Sequence, residues 1–111
     1  MRIIKSSAEI SRVFDKGTRI STPAVTLIVF ENEEQHGHDG RAAFVAGKKL
    51  GNAVWRNRAK RRMRAAFRSL EEPFTGYDVV FLAKRSINNI EYSSLVESLS
   101  KAIKKKGLSV R

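Results

Sequence analysis

The sequence predicts one α+β domain, three helices packed on a sheet of about four strands, in the order α-β-β-β-α-β-α. Three observations carry that prediction. Runs of β-branched and aromatic residues alternate with segments whose apolar positions recur at helical spacing. Glycine, proline and asparagine stand between them. The 111 residues, 41% of them hydrophobic, fill one core and leave little room for a second, so the domain spans 1–111.

The first helix follows Ser6-Ser7-Ala8-Glu9, a capping-box pattern with serine as N-cap and glutamate three residues on. Ile10, Val13 and Phe14 give it an apolar stripe, and Gly17 closes it. A short strand is expected within Thr18–Thr22, before Pro23. Ala24-Val25-Thr26-Leu27-Ile28-Val29-Phe30 reads as the next strand. The polar stretch 31–40, ENEEQHGHDG, reads as a hairpin loop, with Arg41–Ala46 as the returning strand. Gly51-Asn52 supplies a turn and an N-cap for a helix from about Ala53 to Leu70. At 100° per residue, Trp55, Ala59, Met63, Ala66, Phe67 and Leu70 share one face, and Asn57, Arg61, Arg64 and Arg68 the opposite one. Arg58 and Lys60 fall on the flanks. Pro73 and Gly76 end that segment, and Tyr77–Ala83 is apolar enough for a central strand. Asn88 or Asn89 would cap a last helix with Leu95, Leu99, Ala102 and Ile103 on one side and its lysines late, where they complement the helix dipole.

Charge is distributed less evenly than the apolar pattern. The formal net charge is +11. Residues 1–47 hold six basic and six acidic residues, whereas 48–68 hold nine basic and none acidic. Within 56–68, RNRAKRRMRAAFR, no acid stands among the arginines to neutralise them. Like charges so close repel, so an external polyanion is the expected compensation. Arginine outnumbers lysine here, which suits phosphate, because the guanidinium fork meets two oxygens at once. Lys48 and Lys49 extend the positive surface ahead of the helix.

Several function classes are disfavoured. No cysteine is present, so disulfides, thiol chemistry and cysteine-based zinc sites are out. No apolar run reaches the roughly 18 residues of a membrane span, and the start MRIIKSSAEI is too short in its apolar part for a signal peptide, which makes the cytoplasm the default. His36 and His38 form an H-x-H pair without a partner ligand nearby. Asp15, Asp39 and Asp78 are scattered, where metal-dependent phosphodiester cleavage needs convergent carboxylates. A free-standing nuclease is therefore disfavoured, and no catalytic residue is expected on the chain. Phe14 and Trp55 read first as core residues.

The stretch Lys48–Arg64, KKLGNAVWRNRAKRRMR, closely resembles the signature of the bacterial ribonuclease P protein subunit, K-K-x-G-N-A-V-x-R-N-R-x-K-R-x-x-R. Arg12-Val13-Phe14-Asp15-Lys16-Gly17 is similar to that family's R/K-V-F-x-x-G, and Tyr77–Lys84 looks like the strand after its basic helix. The resemblance implies a small α-β sandwich with a left-handed βαβ crossover, the hand opposite to the general rule. It also implies a protein cofactor of an endoribonuclease whose catalytic RNA, with bound magnesium, removes the 5′ leader of precursor tRNA. No metal intrinsic to the protein is implied, and neither DNA nor membrane is an expected partner. By position, Arg56, Asn57, Arg58, Lys60, Arg61, Arg64 and Arg68, preceded by Lys48, Lys49 and Asn52, would bind RNA. Phe14, Arg12, Lys16, Ile28 and Lys84 would line a cleft for the leader. Ile10 and Ile28 stand where the family often has phenylalanine and tyrosine, and Gly47 where it has serine. The first two departures remove stacking rings from the expected cleft. A ribosomal-type structural RNA-binding protein without an enzymatic partner is the alternative.

Overall fold

A computed structural model describes residues 2–32, 40–70 and 76–107. In chain order the elements are β1 (Arg2–Ile3), α1 (Ser7–Lys16), β2 (Thr18–Ser21), β3 (Val25–Glu31), β4 (Arg41–Val45), α2 (Ala53–Arg68), β5 (Tyr77–Ala83) and α3 (Tyr92–Lys105), with short 3₁₀ turns at Lys48–Leu50 and Arg85–Asn88. The predicted order holds, preceded by a two-residue strand too short to leave a periodic signal. The sheet order is β1-β4-β5-β3-β2. Strand β5 is central, parallel to β4 and antiparallel to β3.

That order corrects the expected hairpin over 31–40. Strand β4 does not return beside β3. It pairs with β1 and β5, and β5 lies between it and β3. Residues 33–39, including both histidines, lie outside the described residues. The tight hairpin is instead β2–β3, with Arg19 opposite Ile28 and Ser21 opposite Thr26. Its turn is held by Thr22, whose Oγ1 donates to Val25 O (2.6 Å) and accepts from Val25 N–H (3.1 Å).

Helices α2 and α3 cover one face of the sheet. Strand alternation places Leu27, Phe44, Val79 and Phe81 there, against Met63, Phe67, Leu95 and Leu99. Phe81 packs on Phe44 and Phe67 at centroid separations of 5.1 and 5.3 Å. Helix α1 covers the other face, where Ile4, Val13, Ile28, Ala43 and Val80 form a smaller cluster.

Both ends of α1 are set by close contacts. Ser6 Oγ accepts the Glu9 N–H at 3.3 Å, as the capping pattern predicts. Gly17 ends the helix for a steric reason and not for left-handed geometry: its φ is −75°, and a Cβ there would stand 2.6 Å from Val13 O and 2.8 Å from Ile28 Cγ2. The last helix begins later than expected. Its N-cap is Glu91, not Asn88 or Asn89, because residues 85–88 turn as a 3₁₀ segment first. Asn88 is drawn back toward α2, donating Nδ2–H to Trp55 O at 3.1 Å.

Candidate nucleic-acid interface

Helix α2 starts at Asn52, whose Oδ1 accepts the Trp55 N–H at 2.9 Å. Asn52, expected to touch RNA, is thus the helix cap. Trp55 lies over Gly51, where a Cβ would fall 2.7 Å from the indole. The helix buries Ala59, Met63, Ala66 and Phe67, as its periodicity predicts, and half-buries Trp55, while Leu70 is half-buried just past its end.

Its polar side chains differ in exposure. Asn57, Arg58, Arg61 and Arg68 are exposed along the outward face, and Lys48 and Lys49 are exposed in the turn before it. Arg56 and Lys60 are half-buried on the flank. Arg64, expected on the outward face, is also half-buried, with its guanidinium carbon 5.4 Å from the centroid of the Phe44 ring. Attraction to the ring quadrupole draws it to the β4 side.

Arg62 goes the other way. It donates Nη1–H to Ile87 O (2.9 Å) and Nη2–H to Ile90 O (2.7 Å), tying α2 to the turn before α3. Inside one basic run, therefore, Arg61 is exposed and Arg62 is a structural anchor. At 100° per residue Arg62 stands about 75° from the centre of the apolar stripe, the signal that could have singled it out.

On the opposite face of the sheet, cross-strand neighbours form three rows. Asp78 lies between Phe30 and Arg41, and Val80 between Ile28 and Ala43, the latter row continuing to Arg19. The third row is Ser21, Thr26, Leu82 and Val45. The second row is closed under α1, whereas Thr26, Leu82 and Val45 are half-buried and form an open floor. This floor lies at the carboxyl ends of β4 and β5, the end from which the chain passes through Lys48 and Lys49 into α2.

Of the expected cleft residues, Ile28 is corrected: it is fully buried beneath α1 and cannot meet a ligand. An isoleucine at this position fills the core under Gly17. Phe14 is half-buried beside the floor, and the Arg19 guanidinium carbon lies 5.8 Å from its ring centroid. Arg12 is likewise half-buried, over the Phe30 ring at 5.4 Å. Lys16 is exposed in the last turn of α1. Lys84 Nζ donates to Ser21 Oγ (2.5 Å) and Thr22 O (2.6 Å), which holds a cation at the end of the floor row.

The first row carries a network that the sequence did not reveal. Arg41 donates to both oxygens of Asp78, at 2.9 and 2.8 Å, and to Glu9 at 3.3 and 2.9 Å. Asp78 is 1% exposed and also accepts from Asn32 Nδ2 at 2.9 Å. The hydrogen bonds to Asp78 raise the Arg41 pKa above its ordinary value, burial opposes them, and Glu9 adds to the rise. This network ties α1 to β4 and β5. Its carboxylates are engaged by a guanidinium, an arrangement for stability and not for proton transfer.

Fold and surface together define a small α-β sandwich with an exposed arginine helix on one side and an open sheet face on the other. The ribonuclease P family model matches residues 1–107. The ribonuclease P protein component of Gluconacetobacter diazotrophicus is 32% identical over 107 residues, covering 95% of this chain and 90% of its own. That of Oceanobacillus iheyensis is 35% identical over 106 residues, covering 95% and 86%. The ribonuclease P protein of Staphylococcus aureus superposes with a TM-score of 0.77 at 25% identity, covering 99% of both chains. That of Thermotoga maritima superposes at 0.75 with 20% identity, a likeness of fold. The chain belongs to the ribonuclease P protein component family, the protein subunit of that endoribonuclease.

Proposed function

We propose that the outward face of α2, with Lys48 and Lys49, binds the catalytic RNA of ribonuclease P, and that the open floor beside α1 holds the 5′ leader of precursor tRNA. The observation that carries this reading is the exposed row Arg58, Arg61 and Arg68 in a segment with no acidic residue, fixed in orientation by Met63 and Phe67 on the inner side and by Arg62 on the flank. Phosphate contacts of this kind position an RNA without reading its sequence. The floor lies at the end of the sheet where the chain enters α2, which supports a leader running beside the RNA on the helix.

Hydrolysis in this reading belongs to the RNA, with its magnesium. The protein's part is to raise affinity for the precursor and to offset phosphate repulsion between the two RNAs. We place the assembly in the cytoplasm. No helix among the described residues is long and apolar enough to cross a membrane.

The test is reconstitution. Adding the protein to the catalytic RNA and a precursor tRNA at low magnesium should restore cleavage at the mature 5′ end. A protein that binds RNA but leaves cleavage unchanged would belong to the structural class instead.

A further inference from the structure

With Ile10 and Ile28 in place of rings, and Ile28 closed over, the open face needs another partner for the bases of a single strand. We propose that Arg19 is that partner: stacked on Phe14, its guanidinium presents an outward plane on which a base of single-stranded RNA lies. The proposal rests on the leader-binding reading of the sheet face and adds a residue to it.

The register fixes Arg19 on this face. It stands directly opposite Ile28 on β3, so its side chain rises on the side of α1. There its guanidinium carbon lies 5.8 Å from the Phe14 centroid, while the residue as a whole stays exposed. The cation thus lies over the ring, and the exposure of the residue leaves it open to solvent on the side away from Phe14. Guanidinium planes stack on aromatic faces and on bases alike, and such stacking tolerates any base because each has a π-face.

Its neighbours continue the surface. Ser21, two residues along β2 on the same face, accepts from Lys84 Nζ, so a second cation follows Arg19 along the sheet edge. Between this edge and β4 lies the half-buried floor of Thr26, Leu82 and Val45, apolar enough for a ribose or base. Arg12 makes a similar contact with Phe30, but it is half-buried and its ring lies in the row of Asp78, away from the floor. Among the described arginines that lie over a ring, Arg19 is the exposed one.

Three variants of the full chain test this, with a short single-stranded RNA carrying 2-aminopurine as the probe. Arg19→Ala should bind it about tenfold more weakly and lose the fluorescence quenching that stacking causes. Arg19→Lys keeps the charge without the plane and should resemble Arg19→Ala. Phe14→Leu keeps an apolar side chain but removes the support, and should lose quenching with a smaller loss of affinity. Thermal unfolding of the Arg19 variants should match the parent. Wild-type affinity and quenching in Arg19→Lys, or in Arg19→Ala, would overturn the proposal. The parent's preference for precursor over mature tRNA in the reconstituted enzyme is the separate control. Its absence would overturn leader binding, while the stacking role of Arg19 is decided by the 2-aminopurine titration alone.

Discussion

The two faces of the sheet are built to different ends. Under α2 and α3, eighteen of the described residues form one buried cluster, with three phenylalanine rings at its centre. Under α1 the buried cluster has five, and the row Thr26, Leu82, Val45 beside it is left partly open. Burial of apolar area is the main favourable term in folding, so stability is concentrated on the closed face. The closed face also orients α2, and its reverse side is the basic surface. The open face gives up some burial and keeps an accessible floor with cations around it. A chain of this length can carry two such different surfaces because one core holds both.

Neighbouring residues on β5 test that contrast most strongly. Phe81 is fully buried on the closed face, and Leu82, the next residue, is half-buried on the open one. Phe81→Ala should cost about 3–5 kcal/mol in denaturant unfolding. Leu82→Ala should cost about 1–2 kcal/mol, since only part of its transfer free energy is at stake, and should reduce affinity for a 5′ leader. Equal costs would mean that the open face is as much core as the closed one.

Arg41→Ala probes a strongly held ionic element on the α1 side of the sheet. It leaves Asp78 buried without its cation and should lower stability by about 3–5 kcal/mol. A loss below about 1 kcal/mol would show that water compensates Asp78 and that the network does not fasten α1.

Smaller effects separate adjacent arginines of α2. Arg62→Met removes two charge-assisted hydrogen bonds to main-chain carbonyls and should cost about 1.5–3 kcal/mol. Arg61→Met, on the exposed face, should stay within about 0.5 kcal/mol of the parent. Similar losses for both would contradict the division of the run into an anchor and a free surface.

Much of this was legible in the sequence, for reasons that differ by element. The 3.6-residue period of 53–70 fixed the inner face of α2, because Ala59, Met63, Ala66 and Phe67 answer to local geometry alone. The charge asymmetry, with nine basic residues in 48–68, marked the outward surface without any knowledge of the fold. The pairing of β4 was not legible. Strand alternation identifies a strand but not its neighbour, and a central strand supplied from residues 77–83 overrode the apparent hairpin. The Arg41–Asp78 pair was hidden for the same reason, since the two meet only because β4 lies beside β5. Arg64 was misplaced because a helical wheel ignores what stands at the flank: the Phe44 ring attracts a side chain the wheel turns to solvent. Ile28 was assigned to the cleft by resemblance, and the close approach of Gly17 and α1 seals it off.

In the proposed function the exposed arginines of α2 hold the large RNA while the open sheet face holds the leader. Arg61→Ala combined with Arg68→Ala tests it most directly, through the salt dependence of binding to the catalytic RNA. The parent should lose roughly 10³–10⁵ in affinity between 50 and 200 mM salt if six to ten phosphates are neutralised. The double variant should unfold at the same temperature as the parent, bind more weakly, and show a slope of log affinity against log salt lower by about two. Its preference for precursor over mature tRNA should persist. A variant that keeps the parent's salt slope and RNA affinity but loses the leader preference would contradict the account and exchange the roles of the two surfaces.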